Sequence, residues 1–157
     1  ESSRKSERGQ SLVKYAGRIL TARPYFRTNL KKKLFLRAEK EKIEDPGPII
    51  ESILDDLVKS GYLNDQYLAE AFVRRQLSKC YGPKIISLKL KFMGLDSETT
   101  SQVLRSVATE EAELASIKHY HYKFPRLDRR KLISKLYQRG YSERVIRQAF
   151  DGDCLED

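Results

Sequence analysis

The feature that most constrains this sequence is an internal repeat. Two stretches, KIISLKLKFMGLDSETTSQVL and KLISKLYQRGYSERVIRQAF, share a pattern in which two apolar residues four apart precede a glycine. A period of about 20 to 50 residues is typical of arrays in which each unit buries its apolar face only by stacking on its neighbours. The apolar pairs are Ile86/Leu90 and Leu132/Leu136, and the glycines, 46 positions apart, are Gly94 and Gly140.

Each copy predicts a helix, a tight glycine turn and a second helix. Apolar residues four apart form one stripe along an α-helix. Gly94 and Gly140 follow as helix stops, because glycine adopts positive φ at little cost. Asp96 and Ser142 are placed to cap the next helix. A further helix is predicted before each pair, at Leu12–Thr21, Asp65–Ser78 and about Ala108–Tyr122.

An earlier, less regular copy begins the chain. Leu30 and Leu34 supply the four-apart pair, but Ala38 stands where a glycine is expected. Extra residues, EKEKIEDPG, then precede an amphipathic helix with Pro48 in its first turn. The sequence therefore predicts an all-α fold of three tandem three-helix repeats that form a curved, elongated helical array. The predicted segments are a flexible N-terminal tail at 1–10, helical repeats at 11–60, 61–106 and 107–150, and an acidic C-terminal tail at 151–157.

The charge distribution indicates the class of partner. The 157-residue chain has a net charge of +9, from 31 Lys and Arg against 22 Asp and Glu. Basic residues concentrate in three blocks, 14–42, 74–91 and 123–147, with acidic stretches between them. Such blocks suit DNA phosphates or an acidic protein wall, and binding of this kind weakens with added salt.

Most of these cations are predicted to fall on the same, middle helix of successive units. Stacked units would place them on neighbouring strips of one positive surface. A solvated helix face explains any single lysine, but three blocks in repeat register favour a binding function. The candidate binding residues are Arg27, Lys31, Lys32, Lys33, Arg74, Arg75, Lys84, Lys89, Lys91, Arg129, Arg130 and Lys135.

Aromatic residues interleave with the charges, and two tyrosines are candidate partner contacts. Stacking on unpaired bases is one use for such rings, although at helical spacing most are expected in the core. Tyr81 precedes Gly82 and Pro83 in a loop. Tyr62 lies in the GYLND turn, where packing beneath the turn is favoured while Asp65 caps the following helix. The aromatic residues expected in the core include Tyr67, Phe72 and Tyr137.

No motif indicates an active site, a metal or a cofactor. His119 and His121 are two apart on a predicted helix, whereas ligands on one helix face are four apart. The sequence contains no phosphate-binding glycine loop and no nucleophile elbow. Cys80 and Cys154 fit two free thiols in a reducing cytosol. Basic residues near Cys80 favour a lowered pKa of its thiol. We therefore expect a non-enzymatic, cytoplasmic protein.

The middle of the chain carries family-specific motifs. GYLNDQYLAEAFVRRQLSKCYGPKIISLKLKFMG, from Gly61, strongly resembles the central repeat of the RecX family, regulatory proteins of the RecA recombinase. Asn64 replaces the usual first Asp of that family's turn and is still expected to cap a helix. The opening RILTARPYFRTNLKKKL and the later RGYS are similar to the family's first and last repeats, so the resemblance covers roughly residues 12–150.

The resemblance implies a monomeric regulator, without catalysis or cofactor, that lies along the RecA–single-stranded DNA filament. It implies mainly negative regulation, through limits on filament growth, ATP hydrolysis and strand exchange. The implied partners are the RecA filament and single-stranded, or also double-stranded, DNA. Two other functions stay open: a basic helical-repeat DNA-binding protein acting independently of RecA, which helix–turn–helix spacing allows, and a helical adaptor that binds only protein.

Overall fold

The computed structural model describes residues 2–151 and the side chains of residues 6–151. Within that range it contains nine α-helices and no strand, which confirms the all-α prediction. The helices follow one another in groups of three, as three tandem three-helix repeats. They are α1 Ser2–Ala22, α2 Arg27–Lys40, α3 Gly47–Lys59, α4 Asp65–Ser78, α5 Pro83–Phe92, α6 Ser97–Val107, α7 Glu110–Lys123, α8 Arg129–Gln138 and α9 Glu143–Asp151.

The contacts divide the chain into two compact units, Glu1–Leu68 and Ala69–Asp157. In the first unit, α1, α2 and α3 pack on one another in pairs. The apolar pair predicted for α2 is fully buried in this core. Each large apolar side chain buried in this way stabilises a fold by about 1.5–3 kcal/mol. The core includes Leu12 of α1, Leu30 and Leu34 of α2, and Ile50 and Leu54 of α3.

Helix α2 ends one turn later than the sequence indicated. Ala38 is not a helix stop but a fully buried member of the apolar stripe. The residue with positive φ is Lys42, at 52°. The Ile43 amide then donates to the Ala38 carbonyl at 3.0 Å, the type of bond that also closes the helices before Gly94 and Gly140. Part of the extra sequence therefore forms one added helical turn, and Lys42 corresponds to the two glycines.

Helix α1 begins at Ser2, earlier than the start near Leu12 that the sequence indicated. A β-carbon on Gly9 would lie 3.7 Å from Ile49 of α3, so this part of α1 runs beside α3. Residues 2–10, expected to form a tail, belong to the helix. Of the predicted acidic tail, only Asp151 lies within the described residues, as the last residue of α9.

In the second unit, α7, α8 and α9 share one core, and α5 packs against α6. Ile86 and Leu90 of α5 are fully buried, as their spacing predicted. Both predicted glycine stops are confirmed, because Gly94 and Gly140 have φ values of 93° and 84°. Asp96 caps α6 as expected, accepting from the Thr99 amide at 2.8 Å. The core around α8 includes Ile117, Leu132, Leu136, Tyr141 and Ile146.

Two turns of the second unit interlock and fix the start of α5 against the end of α8. The Gly82 amide donates to the Arg139 carbonyl at 2.7 Å, and the Lys84 amide donates to the Gly140 carbonyl at 3.0 Å. A β-carbon on Gly82 would lie 2.2 Å from the Tyr141 backbone nitrogen. Only glycine fits such a close approach, which explains the glycine of the Tyr-Gly-Pro step.

A buried polar chain supports the same junction. The Ser116 hydroxyl of α7 donates to the Leu77 carbonyl of α4 at 2.6 Å. The Tyr141 hydroxyl lies 2.6 Å from the Ser116 oxygen, and since Ser116 has only one proton to donate, Tyr141 is the donor. Burial raises the pKa of the Tyr141 phenol, which keeps that proton in place.

Several aromatic and capping predictions are wrong. Tyr62 is 73% exposed, rather than packed beneath its turn. The α4 cap is Asn64, as its own replacement in the turn predicted, and it accepts from the Tyr67 amide at 3.1 Å; the capping role expected of Asp65 is the wrong one. Asp65 instead accepts from the amide of Arg27 at 2.8 Å, at the start of α2.

Tyr67 and Tyr137 are 70% and 43% exposed, and Phe72 is half-buried, so these three are not core residues as expected. The reason is helix phase. The buried side of α4 carries Ala69 and Val73, and a residue two positions before Ala69 points about 160° away from it.

Candidate functional site

The helix ends bring three candidate cations into one register. Counted back from Lys42, Gly94 and Gly140, the tenth residue of each middle helix region is basic. These residues, which we call the outer cations, are exposed in every repeat. The outer cations are Lys32 of α2, Lys84 of α5 and Arg130 of α8.

A second row of cations lies five residues before each helix-ending position. It consists of Arg37, Lys89 and Lys135, which we call the inner cations. Arg37 pairs with Glu41 at 2.6 Å, and Lys89 donates to the Gln76 side chain at 2.8 Å. Among the described residues, Lys135 has no ion-pair partner. The inner row is therefore basic in all three repeats but is partly used in contacts within the fold.

The outer cations take no part in the ion pairs of the described residues. None of the three is within ion-pair distance of a carboxylate among residues 6–151. Lys84 and Arg130 are each the second residue of their helix, where the helix dipole disfavours a positive charge by about 0.3–1 kcal/mol. The helix dipole therefore does not account for the cations at two of the three positions, Lys84 and Arg130.

Two other candidates are engaged by acidic side chains of α3. Arg27 Nη2 lies 2.9 Å from both a Glu51 and an Asp55 carboxylate oxygen, and Lys31 also pairs with Glu51. Lys31, and then Arg27, lower the pKa of the Glu51 carboxyl. The hydrogen bond to Asp55 raises the pKa of Arg27. Arg27 and Lys31 therefore link α2 to α3.

Tyr81 lies under two cations of its own unit. The Lys89 ammonium is 3.6 Å from the ring centre, and the Arg139 guanidinium carbon is 4.4 Å from it. Arg139 also donates to the Cys80 carbonyl, and to the Lys79 carbonyl at 2.8 Å. Sequence reasoning did not single out Arg139, although it opens the Arg-Gly-Tyr-Ser motif. Its role is to hold the end of α4 on the turn after α8.

Glu113 is a further residue that the sequence did not reveal. Its side chain is buried, and it accepts from the Ser142 amide at 2.6 Å and from the Ser142 hydroxyl at 3.2 Å. The carboxylate at the start of α9 is thus supplied by Glu113 of α7, whereas Ser142 was expected to act as the cap. Burial raises the pKa of Glu113, and the bonds from Ser142 oppose that shift.

Cys80 also differs from expectation. The thiol is buried, and this burial raises its pKa, while the charges of Lys123 and Arg139 only partly oppose the effect. The prediction that nearby basic residues lower the pKa of this thiol is therefore wrong.

The remaining candidates lie at the surface with weaker contacts or none within the described range. Arg74 approaches Glu70 at 3.9 Å, and Arg75, Arg129 and Lys33 lie 5.9, 5.2 and 5.7 Å from the ring centres of Phe72, Phe150 and Tyr25. Lys91 is exposed. Arg74 and Arg75 belong to α4 and not to a middle helix.

The described part of the chain holds no cluster of three His, Cys, Asp or Glu residues suited to a metal ion. None of its described helices combines the length and apolarity needed to cross a membrane. The arrangement is one of exposed charge on helices, suited to binding.

Comparison with known proteins places the chain. No family model matches it. The regulatory protein RecX of Herbaspirillum seropedicae is 30% identical over 151 residues, which cover 94% of each chain. The regulatory protein RecX of Thermus thermophilus is 30% identical over 142 residues, 90% of this chain and 92% of that one.

The chain belongs to the RecX family. The motif resemblance is thereby confirmed, and a family of regulatory proteins agrees with the expectation of a non-enzymatic chain. The crystal structure of RecX from Lactobacillus salivarius matches with a TM-score of 0.78 at 20% identity, over 93% of this chain and 96% of that one. The RecX fold is therefore shared, including its three tandem three-helix repeats.

Proposed function

We propose that this RecX-family protein is a non-enzymatic regulator of the RecA recombinase. It binds the RecA–single-stranded DNA filament in the cytoplasm, as a monomer, and limits filament growth, ATP hydrolysis and strand exchange. The observation that carries the proposal, beside family membership, is the register of the outer cations Lys32, Lys84 and Arg130.

A cation at the same position of each repeat suits a partner that carries many equivalent negative charges. A nucleic acid within a protein filament presents phosphates at fixed intervals, and each phosphate neutralised by Lys or Arg releases condensed counterions. One outer cation in each repeat supplies such contacts without base specificity, as a regulator of filaments on any sequence requires. Bound along the filament, the protein restricts the addition of recombinase subunits and the changes that accompany hydrolysis.

The test is ATP hydrolysis by RecA on single-stranded DNA while this protein is titrated far below the RecA concentration. Inhibition at those levels is expected, because one regulator affects the growth or stability of many filament subunits. No inhibition until the protein covers the DNA itself would contradict the proposal. It would favour a basic helical-repeat protein that binds DNA independently of RecA.

A control separates these two functions further. Binding to the same oligonucleotide is measured with and without RecA at one salt concentration. The proposal requires tighter binding to the filament than to bare DNA, whereas an independent DNA-binding protein would compete with RecA and bind the filament less well.

A further inference from the structure

Helix α5 exposes two large apolar side chains that its own unit does not use. Phe92 is 95% exposed and Leu88 is 63% exposed. Because they are four residues apart on one helix, their side chains lie side by side on the surface. Lys91 lies next to them and is also exposed. We call Leu88, Lys91 and Phe92 the α5 face.

The third repeat shows that the fold does not need these residues. At the same distances before Gly140, helix α8 carries Ser134 in place of Leu88 and Gln138 in place of Phe92. The fully buried pair of each helix remains apolar, Ile86 and Leu90 in α5 and Leu132 and Leu136 in α8. Exposed large apolar side chains that lie together mark interaction sites, and Phe is among the residues enriched at protein interfaces.

We propose that the α5 face is a protein-docking surface. Its partner protein carries an apolar pocket with a carboxylate on the rim. Phe92 and Leu88 enter the pocket, and Lys91 pairs with the carboxylate. The inference rests on the proposed function, in that the pocket belongs to the recombinase. It assigns protein contact to the side of α5 that carries Leu88 and Phe92, and it leaves Lys84, at the start of α5, as a phosphate contact.

Charge near the α5 face favours protein over nucleic acid. The turn after Phe92 leads into α6, whose cap is Asp96 and whose first turn carries Glu98. Both side chains are exposed, so two negative charges follow Phe92 within six residues. They disfavour the extended row of charges of a phosphate backbone more than a single carboxylate that pairs with Lys91. Leu88 is aliphatic and offers no stacking surface for a base. A protein pocket uses both apolar side chains and Lys91.

The test exchanges residues between repeats. The double variant L88S/F92Q gives α5 the residues that α8 carries at the same positions, so the helix keeps its buried stripe. A control variant, V13S/Y122Q, removes two other exposed side chains, which are 53% and 84% exposed, outside α5. Binding is measured to RecA filaments on single-stranded DNA and, separately, to a bare oligo-dT strand.

The expected result is a loss of filament affinity of about 30-fold or more for L88S/F92Q, the size of an interface hot spot, with unchanged affinity for bare DNA. The control variant should bind both targets as the wild type does. Filament affinity unchanged in L88S/F92Q would overturn the inference. So would an equal loss on oligo-dT, which would assign Phe92 to base stacking.

Sedimentation of the free protein measures its oligomeric state and completes the test. If the wild type dimerises and L88S/F92Q does not, the α5 face joins two copies of this chain and the inference is wrong. If the wild type and the variant are both monomeric, the result supports the inference. If the wild-type protein itself fails to bind the filament, the result contradicts the proposed function and not the assignment of the α5 face.

Discussion

Helices α5 and α8 occupy the same place in successive repeats, yet only their buried sides are alike. Both bury an apolar pair and end at a glycine with positive φ. Their N-terminal caps differ, because the cap of α5 is Gly82, packed against the turn after α8, whereas the cap of α8 is Asp128. Asp128 accepts from the Lys131 amide at 2.9 Å.

The exposed sides differ in a second way. The outer and inner cations recur in both helices, but Leu88 and Phe92 of α5 face solvent where α8 has polar residues. Burial explains the shared apolar positions. The position of Leu88 also recurs in α2, as Leu36, which is 61% exposed. The position of Phe92 carries Lys40 in α2, so an exposed Phe there is found in α5 alone among the three middle helices.

The largest effect is expected at the start of α5. Gly82→Ala should destabilise the second unit by more than about 4 kcal/mol, because its β-carbon meets backbone atoms that cannot move aside. Urea unfolding followed by circular dichroism measures the change. Gly17→Ala is the control, since a β-carbon there meets nothing within 4 Å, and it should stabilise α1 by about 0.5–1 kcal/mol. A tolerated Gly82→Ala would show that the two turns do not interlock.

The next largest effect on stability is expected at the buried apolar pairs of α5 and α8. Leu90→Ala and Leu136→Ala should each cost about 2–5 kcal/mol of unfolding free energy, because both side chains are fully buried and leave a cavity. Leu88→Ala, on the exposed side of α5, should change stability by less than about 0.5 kcal/mol. Equal losses at positions 88 and 90 would mean that the phase of α5 is wrong.

A smaller effect is expected at the start of α8. Asp128→Ala removes the side-chain acceptor of the Lys131 amide and should cost about 1 kcal/mol, the usual value of an N-terminal cap. Asp128→Asn keeps an acceptor and should restore most of the loss. If both variants are equally stable, the cap contributes nothing, and α8 depends on packing alone.

The smallest effect is a pH dependence at the turn after α8. Because burial raises the pKa of Glu113 from 4.5, the folded state binds its proton more tightly than the unfolded state. The contribution of Glu113 to stability is therefore fully present below pH 4.5 and is lost as pH rises through the folded pKa. Glu113→Gln keeps an acceptor for the Ser142 amide but does not titrate. Its stability relative to the wild type should rise across this pH range, and an unchanged difference would contradict the raised pKa.

Local patterns predicted the fold well. The stripes of α5 and α8, their glycine stops and the Asp96 cap each depend on residues a few positions apart, and all were confirmed. Lys42 escaped prediction because a lysine with positive φ leaves no signal in the sequence. The Ala38 position consequently seemed to be a damaged stop, although it lies within a longer helix.

Long-range contacts were beyond local reasoning. The approach of Gly82 to Gly140, the Glu113 carboxylate at the start of α9 and the Asp65 bond to α2 join residues distant in sequence. The phase of α5 was also ambiguous, because Ile85, Leu88 and Phe92 add apolar residues outside its buried stripe. The exposure of Phe92 therefore came only from the structure.

The most direct test of the central claim compares two triple charge reversals in binding to RecA–single-stranded DNA filaments over a range of salt concentrations. The first, K32E/K84E/R130E, reverses the outer cations. The second, K14E/K59E/K118E, reverses three other exposed lysines and changes the net charge equally.

We predict that the outer-cation variant binds at least tenfold more weakly at low salt, with a salt-dependence slope smaller by about two, since each lost contact to a single-stranded phosphate removes about 0.7. The second variant should remain close to the wild type. Equal weakening of both variants would show that only net charge matters, and it would contradict the assignment of the outer cations as the filament-binding surface.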